Sequence, residues 1–281
     1  MNVGNVIRTS ATKISSKLSM EIAEASFEAK LLLQQVLNVT RAWLISHKSD
    51  ALEANQQAVF EALVQRRLNG EPIAYILGSR EFYGLELKTT PATLIPRPDT
   101  ETLVEAAFAK IPQNTSLNVL DLGTGTGAVA LAIASQRSQI KVIAVDASPE
   151  ALKVAIENAQ SLNLCNVRLI ESNWFSALVS EKFDVIVSNP PYIAQDDKHL
   201  KQGDLRFEPL SALASGADGL DDIRKIIQDA PDYLNPNGWL MLEHGYDQAE
   251  AVAALLKARS FSQIAHAKDI AGTLRVTFGA I

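Results

Sequence analysis

From residue 117 onward, short apolar runs alternate with segments of helical period, and this alternation limits the fold more than any other feature of the chain. Strand candidates fall at 117–122, 140–145, 167–170, 183–188, 238–243 and 274–278, and helical stretches at 128–136, 149–162, 221–234 and 247–258. Near-continuous apolar runs indicate strands covered on both faces, which requires helices on both sides of a mostly parallel sheet. A doubly wound, Rossmann-like α/β domain follows. The longest apolar stretch, 127–134, is too short to cross a bilayer and reads as a buried helix.

The first 78 residues have a different character, with helical period and no convincing strand. Ile22, Phe27, Leu31, Leu32 and Val36 recur at roughly helical spacing over 22–37, and Leu52, Val59, Phe60, Leu63 and Val64 do so over 52–68. Gly70 and Pro72 close the second of these helices. Residues 1–78 therefore read as a small helical domain, suited to recognising a protein substrate. In 79–96, two short strand-like runs flank a bend at Gly84 and lead to Pro91 and Pro96, a β-hairpin linker. The catalytic domain is expected over 97–281, opening with a helix that carries Pro98, Asp99 and Glu101 in its first turn.

Composition narrows the function classes. The 281 residues carry a net charge of −6, unevenly divided: residues 1–90 hold 10 Lys and Arg against 9 Asp and Glu, and residues 91–281 hold 16 against 23. An acidic catalytic domain counts against a nucleic acid duplex as substrate, because binding a phosphate backbone calls for a basic track. The single cysteine, Cys165, excludes an internal disulfide and leaves no Cys/His cluster for zinc. The amino terminus lacks a basic start followed by an apolar block, so no secretory signal is read there. A cytoplasmic, monomeric protein without metal or membrane contact is the expectation.

Asp121-Leu122-Gly123-Thr124-Gly125-Thr126-Gly127 ends the first strand of the α/β part and opens a helix. Glycines at such a turn let a ligand approach the backbone closely. The third glycine comes one residue too early for the dinucleotide pattern G-x-G-x-x-G. The D-x-G-x-G-x-G form resembles the S-adenosylmethionine loop of class I methyltransferases. Asp146, at the end of the second strand, can accept both ribose hydroxyls of a nucleoside, although an acid there can also cap the helix that Pro149 begins. Asn173 and Trp174 follow the third strand, where Asn173 can hydrogen-bond the edge of a base and Trp174 can line its face. Trp174 is equally at home in a core, and Phe175 is read as core.

Asn189-Pro190-Pro191-Tyr192 stands where the fourth strand ends. An Asn amide oxygen and a Pro carbonyl offer two acceptors to a planar N–H₂ group, and Tyr192 offers a ring to its flat face. This suits methylation of a weak nucleophile that must be held rather than deprotonated. Amide, adenine and guanine nitrogens all remain open on the tetrapeptide alone. His199 and His244 are isolated and receive no catalytic role.

Taken together, Phe82-Tyr83-Gly84, the run Leu94-Ile95-Pro96-Arg97-Pro98-Asp99-Thr100-Glu101, the glycine loop, Asp146, Asn189-Pro190-Pro191-Tyr192 and Arg206-Phe207-Glu208-Pro209 closely resemble the release factor glutamine methyltransferases, over almost the full length. The resemblance implies transfer of a methyl group from S-adenosylmethionine to the glutamine side-chain nitrogen of the Gly-Gly-Gln motif in class I peptide chain release factors. It implies cofactor contacts from Asp121, Gly123, Thr124, Gly125, Thr126, Gly127, Asp146, Asn173, Trp174 and Asn189. Substrate contacts would come from Asn189, Pro190, Pro191 and Tyr192, with Asn189, Pro190 and Tyr192 catalytic. Asn173 departs from the Asp frequent in relatives, yet its oxygen still accepts from an adenine amine. Arg97 and Glu208 read either as a brace at the substrate entrance or as a structural ion pair. A ribosomal-protein glutamine methyltransferase is the nearest alternative, and a nucleic-acid amine methyltransferase a more distant one.

Overall fold

A computed structural model describes all 281 residues and divides into two compact units, 1–78 and 79–281. The first unit is wholly helical: α1 (Val3–Leu18), α2 (Ile22–Leu37), α3 (Arg41–Ser46), α4 (Ala54–Leu68) and α5 (Ile73–Leu77). Local chemistry sets the ends. The Asn2 side chain accepts from the Asn5 amide at 2.9 Å and starts α1, Thr40 does the same for Trp43 at the head of α3, and Asn38 ends α2 in the left-handed conformation. Ile14, Leu32, Leu33 and Phe60 are fully enclosed between these helices. The Arg67 guanidinium lies 2.7 Å from the Glu28 carboxylate, both side chains 7% exposed.

The buried stripe of α2 differs from the one read from spacing. Ala25, Glu28, Ala29, Leu32 and Leu33 face inward, while Ile22 and Phe27 are about half exposed, as is Val59 on α4. Small alanines let the helices approach, and the inward stripe repeats at three and four residues from Ala25, which leaves Ile22 and Phe27 off the axis of burial.

The second unit opens with a hairpin, β1 (Ser79–Phe82) against β2 (Leu85–Lys88). Its two turn residues, Tyr83 and Gly84, both have positive φ, 51° and 78°, which matches the right-handed twist of the flanking strands. After a 3-10 turn at Pro98–Thr100 come α6 (Glu101–Phe108), β3 (Asn118–Leu122), α7 (Ala128–Gln136), β4 (Lys141–Asp146), α8 (Pro149–Ser161), β5 (Val167–Glu171) and β6 (Phe183–Ser188). The chain closes with α9 (Asp221–Asp229), β7 (Leu234–Glu243), α10 (Ala249–Ala258), β8 (Ser262–Lys268) and β9 (Leu274–Ala280).

The seven-stranded sheet has the order β5-β4-β3-β6-β7-β9-β8, parallel from β5 to β7 and antiparallel at β9 and β8. Alternation along the strands feeds two cores. Val119, Val185 and Val187 pack under α6 and α7, whose segment 128–134 is buried throughout; Leu120, Leu122 and Ile186 point the other way, against α9 and α10. From β3 the chain winds outward through β4 to β5 and then returns to place β6 on the other side of β3. The crevice between the ends of β3 and β6 is therefore the switch point of the sheet, where open α/β folds bind ligands.

Two elements differ from the sequence expectation. Strand β8 has no clear apolar alternation, because it is an edge strand with register shifts and a left-handed Gln263 (φ 49°). The helix expected to reach residue 234 stops at Asp229, since Pro231 cannot extend it, and Leu234 already starts β7.

Candidate active site

Strand β3 delivers the glycine loop to the switch point. Gly123, Gly125 and Gly127 have φ of 72°, 57° and 86°, values at which a Cβ is strained. Asp121 is 2% exposed, and one of its carboxylate oxygens accepts from the Thr124 hydroxyl at 2.6 Å and the Ala130 amide at 3.2 Å. It thus clamps the loop onto the first turn of α7. Burial pushes the Asp121 carboxyl up to about 7, against the pull of those two donors.

Asp146, at the end of β4, reaches the loop from the other side. One carboxylate oxygen accepts from the Gly125 amide at 2.8 Å and the other from the Ser148 amide at 2.9 Å. Ser148, not Asp146, caps α8, accepting from the Ala151 amide at 3.1 Å. The acid is left to order the loop and face the cleft.

That cleft measures about 400 Å³ and is lined by Gly123, Gly125, Asp146, Asn173, Trp174, Asn189 and Pro191, among others. A narrower recess of about 50 Å³ shares Leu94, Gly123, Gly125 and Asn189 with it and is further lined by Arg97, Thr100, Asp121, Thr124 and Thr126. Asn189 borders both. Trp174 packs against the core and walls the cleft at once, its ring atoms 3.3 and 3.5 Å from where a Cβ on Gly123 would stand. Asn173 accepts from Lys225 Nζ at 3.1 Å. Phe175 is buried, its ring stacked on Tyr233 with centroids 4.4 Å apart. Gly127 lines neither space; a Cβ there would meet Leu131 at 2.9 Å, so this glycine serves close packing of the loop on α7.

The tetrapeptide leaves β6 at its buried end, where the Ser188 hydroxyl donates to the Leu122 carbonyl at 2.7 Å. The two prolines cannot continue a ladder, so the chain turns out over the crevice. Gln248 donates to the Tyr192 carbonyl at 3.0 Å, and Gly219 lies so close beneath that carbonyl that a Cβ would fall 2.2 Å from it. The Asn189 Nδ2 donates to the Thr100 hydroxyl at 3.1 Å. The Tyr192 hydroxyl donates to Glu243 Oε1 at 3.4 Å, and burial pushes the Tyr192 phenol upward. Neither Pro190 nor Tyr192 lines the cleft or the recess.

Thr100 and Glu243 carry no role in the sequence reading. Thr100 lies inside the Pro-Arg-Pro-Asp-Thr-Glu run, and Glu243 closes the strand β7 next to β6; the tertiary fold brings Thr100 to Asn189 and Glu243 to Tyr192. Arg97 pairs with Glu208, which also accepts from the Ile95 amide at 3.2 Å, so the segment before α6 is tied to the loop that carries Pro209. Residues on both sides of this tie, 92–94 together with Pro209, Ser211 and Ala212, line the cleft. His199 is exposed and bonded to Asp197 at 2.7 Å. His244 is fully buried between the Thr277 hydroxyl at 2.7 Å and the Gly245 carbonyl at 2.8 Å, and burial lowers its pKa. Neither lines the cleft or the recess.

The shape fits a nucleoside-bearing methyl donor. Left-handed glycines leave the loop backbone bare, with open space around a Cβ position at Gly125, and an ordered carboxylate stands beside a flat aromatic wall. No helix is long and apolar enough to cross a membrane.

Sheet order and switch-point site together define a methyltransferase of the Rossmann-like α/β class. A family model described as a methyltransferase domain matches residues 113–276, and one described as the PrmC N-terminal domain matches 11–78. The release factor glutamine methyltransferase of Salmonella typhimurium is 49% identical over 90% of this chain and 91% of its own. That of Coxiella burnetii is 45% identical over 96% and 97%. A methyltransferase structure from Pyrococcus furiosus superposes with a TM-score of 0.53 at 23% identity, covering 81% of this chain and 98% of the other, a likeness of fold. The chain belongs to the release factor glutamine methyltransferase family.

Proposed function

We propose that the chain methylates the side-chain amide nitrogen of the glutamine in the Gly-Gly-Gln motif of class I peptide chain release factors, with S-adenosylmethionine as donor. The observation that carries this reading is the Asn189 carboxamide. Its nitrogen is engaged by Thr100, which leaves its oxygen as the acceptor at the border of cleft and recess. The kind of protein acted on comes from the names borne by relatives at 45 to 49% identity.

Asp146 would accept the ribose hydroxyls, Trp174 and Asn173 would meet the base, and the glycine loop with Asp121 beneath it would border the amino-acid end. The donor supplies an electrophilic methyl group on a positively charged sulfur. Asn189 Oδ1 and the Pro190 carbonyl would each accept one hydrogen of the substrate amide, aiming its nitrogen at that methyl group. These acceptors are worth most when the nitrogen becomes positive, so they favour the transition state over the bound substrate. The substrate nitrogen would take up that methyl group, the electrons of the broken bond staying with the donor's sulfur. One amide proton then passes to water, having become strongly acidic, and no strong base is needed. Tyr192 would pack beside the amide plane. The helical unit, residues 1–78, would recognise the release factor.

Replacing Asn189 with Ala should lower kcat about 100-fold or more, the order seen when one preorganised polar contact to developing charge is removed. Binding of the methyl donor should stay near the wild-type affinity. Normal turnover in that variant would sink the mechanism.

A further inference from the structure

Four cations of the helical unit share one space and have no acid beside them. Arg8 on α1, Lys30 on α2, Arg41 at the head of α3 and Lys48 just past its end line a groove of about 410 Å³. No Asp or Glu lines it, and none of the four stands in an ion pair, whereas Arg66 pairs with Glu71 and Arg67 with Glu28 in the same unit. Nor does an acid lie three or four residues from any of them, the spacing at which a helix supplies a partner. Arg8 Nη2 donates to a neutral group, Asn5 Oδ1, at 2.7 Å. Like charges gathered around one space oppose the fold that gathers them.

The backbone holds this groove in shape. All four amides of the first turn of α1 are bonded: Val3 to the Asp50 carbonyl, Gly4 to the Lys48 carbonyl, Asn5 to the Asn2 side chain and Val6 to the Asn2 carbonyl. A Cβ on Gly4 would lie 3.2 Å from the Lys48 carbonyl, so glycine lets that segment close on the helix. With the head of α1 satisfied, the side chains alone carry the positive charge. Beneath them the lining is apolar, with Ile7 and Leu44 buried and Ile45 57% exposed.

We propose that this groove docks an acidic segment of the protein substrate, its carboxylates on the four cations and an apolar side chain between them on Ile45. The inference rests on the reading of residues 1–78 as the part that recognises the release factor, and gives that recognition a place and a chemistry. A phosphate backbone fits less well. Residues 1–78 hold 8 Lys and Arg against 7 Asp and Glu, so the cations form one isolated patch and not the continuous basic track that a nucleic acid needs.

The test uses the full chain with a class I release factor as substrate. It compares Arg41→Glu/Lys48→Glu and Arg41→Gln/Lys48→Gln with Lys13→Glu/Lys17→Glu, which reverses two exposed charges of α1 outside the groove. Each is read for kcat, for KM of the release factor, for affinity of S-adenosylhomocysteine by calorimetry and for binding of a short single-stranded RNA by fluorescence anisotropy. Charge reversal in the groove should raise KM about 10- to 100-fold, with kcat and cofactor affinity within about two-fold of wild type. The glutamine pair should give a smaller rise of the same sign, and the α1 control should stay within about three-fold of wild type. Added salt should raise the wild-type KM more steeply than that of the charge-reversed variant. A groove variant with wild-type KM, or a control that loses as much, would overturn the proposal. So would RNA binding lost in the groove variant beside an unchanged KM, which assigns the groove to a nucleic acid. Either result in an enzyme that methylates the release factor rejects the groove alone. A wild-type chain that leaves the release factor unmethylated rejects the reading beneath it.

Discussion

Removing the Asp146 carboxylate should strip the chain of most of its affinity for the methyl donor. Each carboxylate oxygen already accepts one backbone hydrogen, from Gly125 at 2.8 Å and from Ser148 at 2.9 Å. Each retains a further lone pair, and these face the two ribose hydroxyls in the proposed complex. Hydrogen bonds to a charged acceptor contribute about 1.5–3 kcal/mol each. Their loss is not additive, and water replaces part of it, so Asp146→Ala should weaken binding by about 2–4 kcal/mol, or roughly 30- to 1000-fold in Kd. Asp146→Asn should do nearly as badly, since its NH₂ group must face either the Gly125 or the Ser148 N–H, donor against donor. Calorimetric titration with S-adenosylhomocysteine measures this directly, with a thermal melt to show that each variant is folded. A folded Asp146→Ala variant binding within about two-fold of wild type would refute the reasoning.

Gly127→Ala should destabilise the second unit by roughly 1–3 kcal/mol, because a Cβ at φ 86° is strained and lies 2.9 Å from Leu131; urea denaturation checks this, and an unchanged midpoint would contradict it. Asp121 should make stability fall as pH rises. Its carboxyl goes from a usual 3.8 to about 7 in the folded state, so the native protein holds the proton more tightly. The contribution is present at low pH and is lost as pH climbs toward about 7. Asp121→Asn keeps an oxygen for Thr124 and Ala130, and should flatten the dependence of unfolding free energy on pH between about 4 and 7; parallel curves for the two proteins would count against it. Glu243, raised to about the same value, should leave a smaller slope of the same sign in that variant.

Much of the α/β architecture was legible because buried parallel strands leave near-continuous apolar runs, and β3, β4 and β6 coincide with such runs to within a residue, while the half-exposed edge strand β5 is marked by Val167, Leu169 and Ile170 around Arg168. Strand β8 escaped for the opposite reason: at a solvent edge, with shifted register, it needs no apolar alternation. In the helical unit the period was visible but its phase was not. Ile22 and Phe27 look like core residues by type, yet Ala25 and Ala29 occupy the contact, because close helix approach selects small side chains. At the site, Asp121, Asp146 and Asn189 could be placed around one crevice from strand ends alone, whereas Trp174 read equally well as core and in fact both packs on the core and walls the cleft. Gly127 could not be separated from the ligand-facing glycines, since a requirement for positive φ is the same whether a ligand or Leu131 lies beyond it. Thr100 meets Asn189, and Glu243 meets Tyr192, only through the turn into α6 and the sheet order β3-β6-β7, juxtapositions carried by no local pattern.

The central claim is that a glutamine side-chain nitrogen in a release factor receives the methyl group. Incubation of the protein with isotope-labelled S-adenosylmethionine and, in separate reactions, a class I release factor, a ribosomal-protein mixture and RNA, followed by peptide mass mapping, tests it most directly. Label is expected on the release factor alone, at the glutamine of Gly-Gly-Gln, and none when that glutamine is replaced. Label confined to the ribosomal proteins or to RNA, or on the release factor at any other residue, would contradict it.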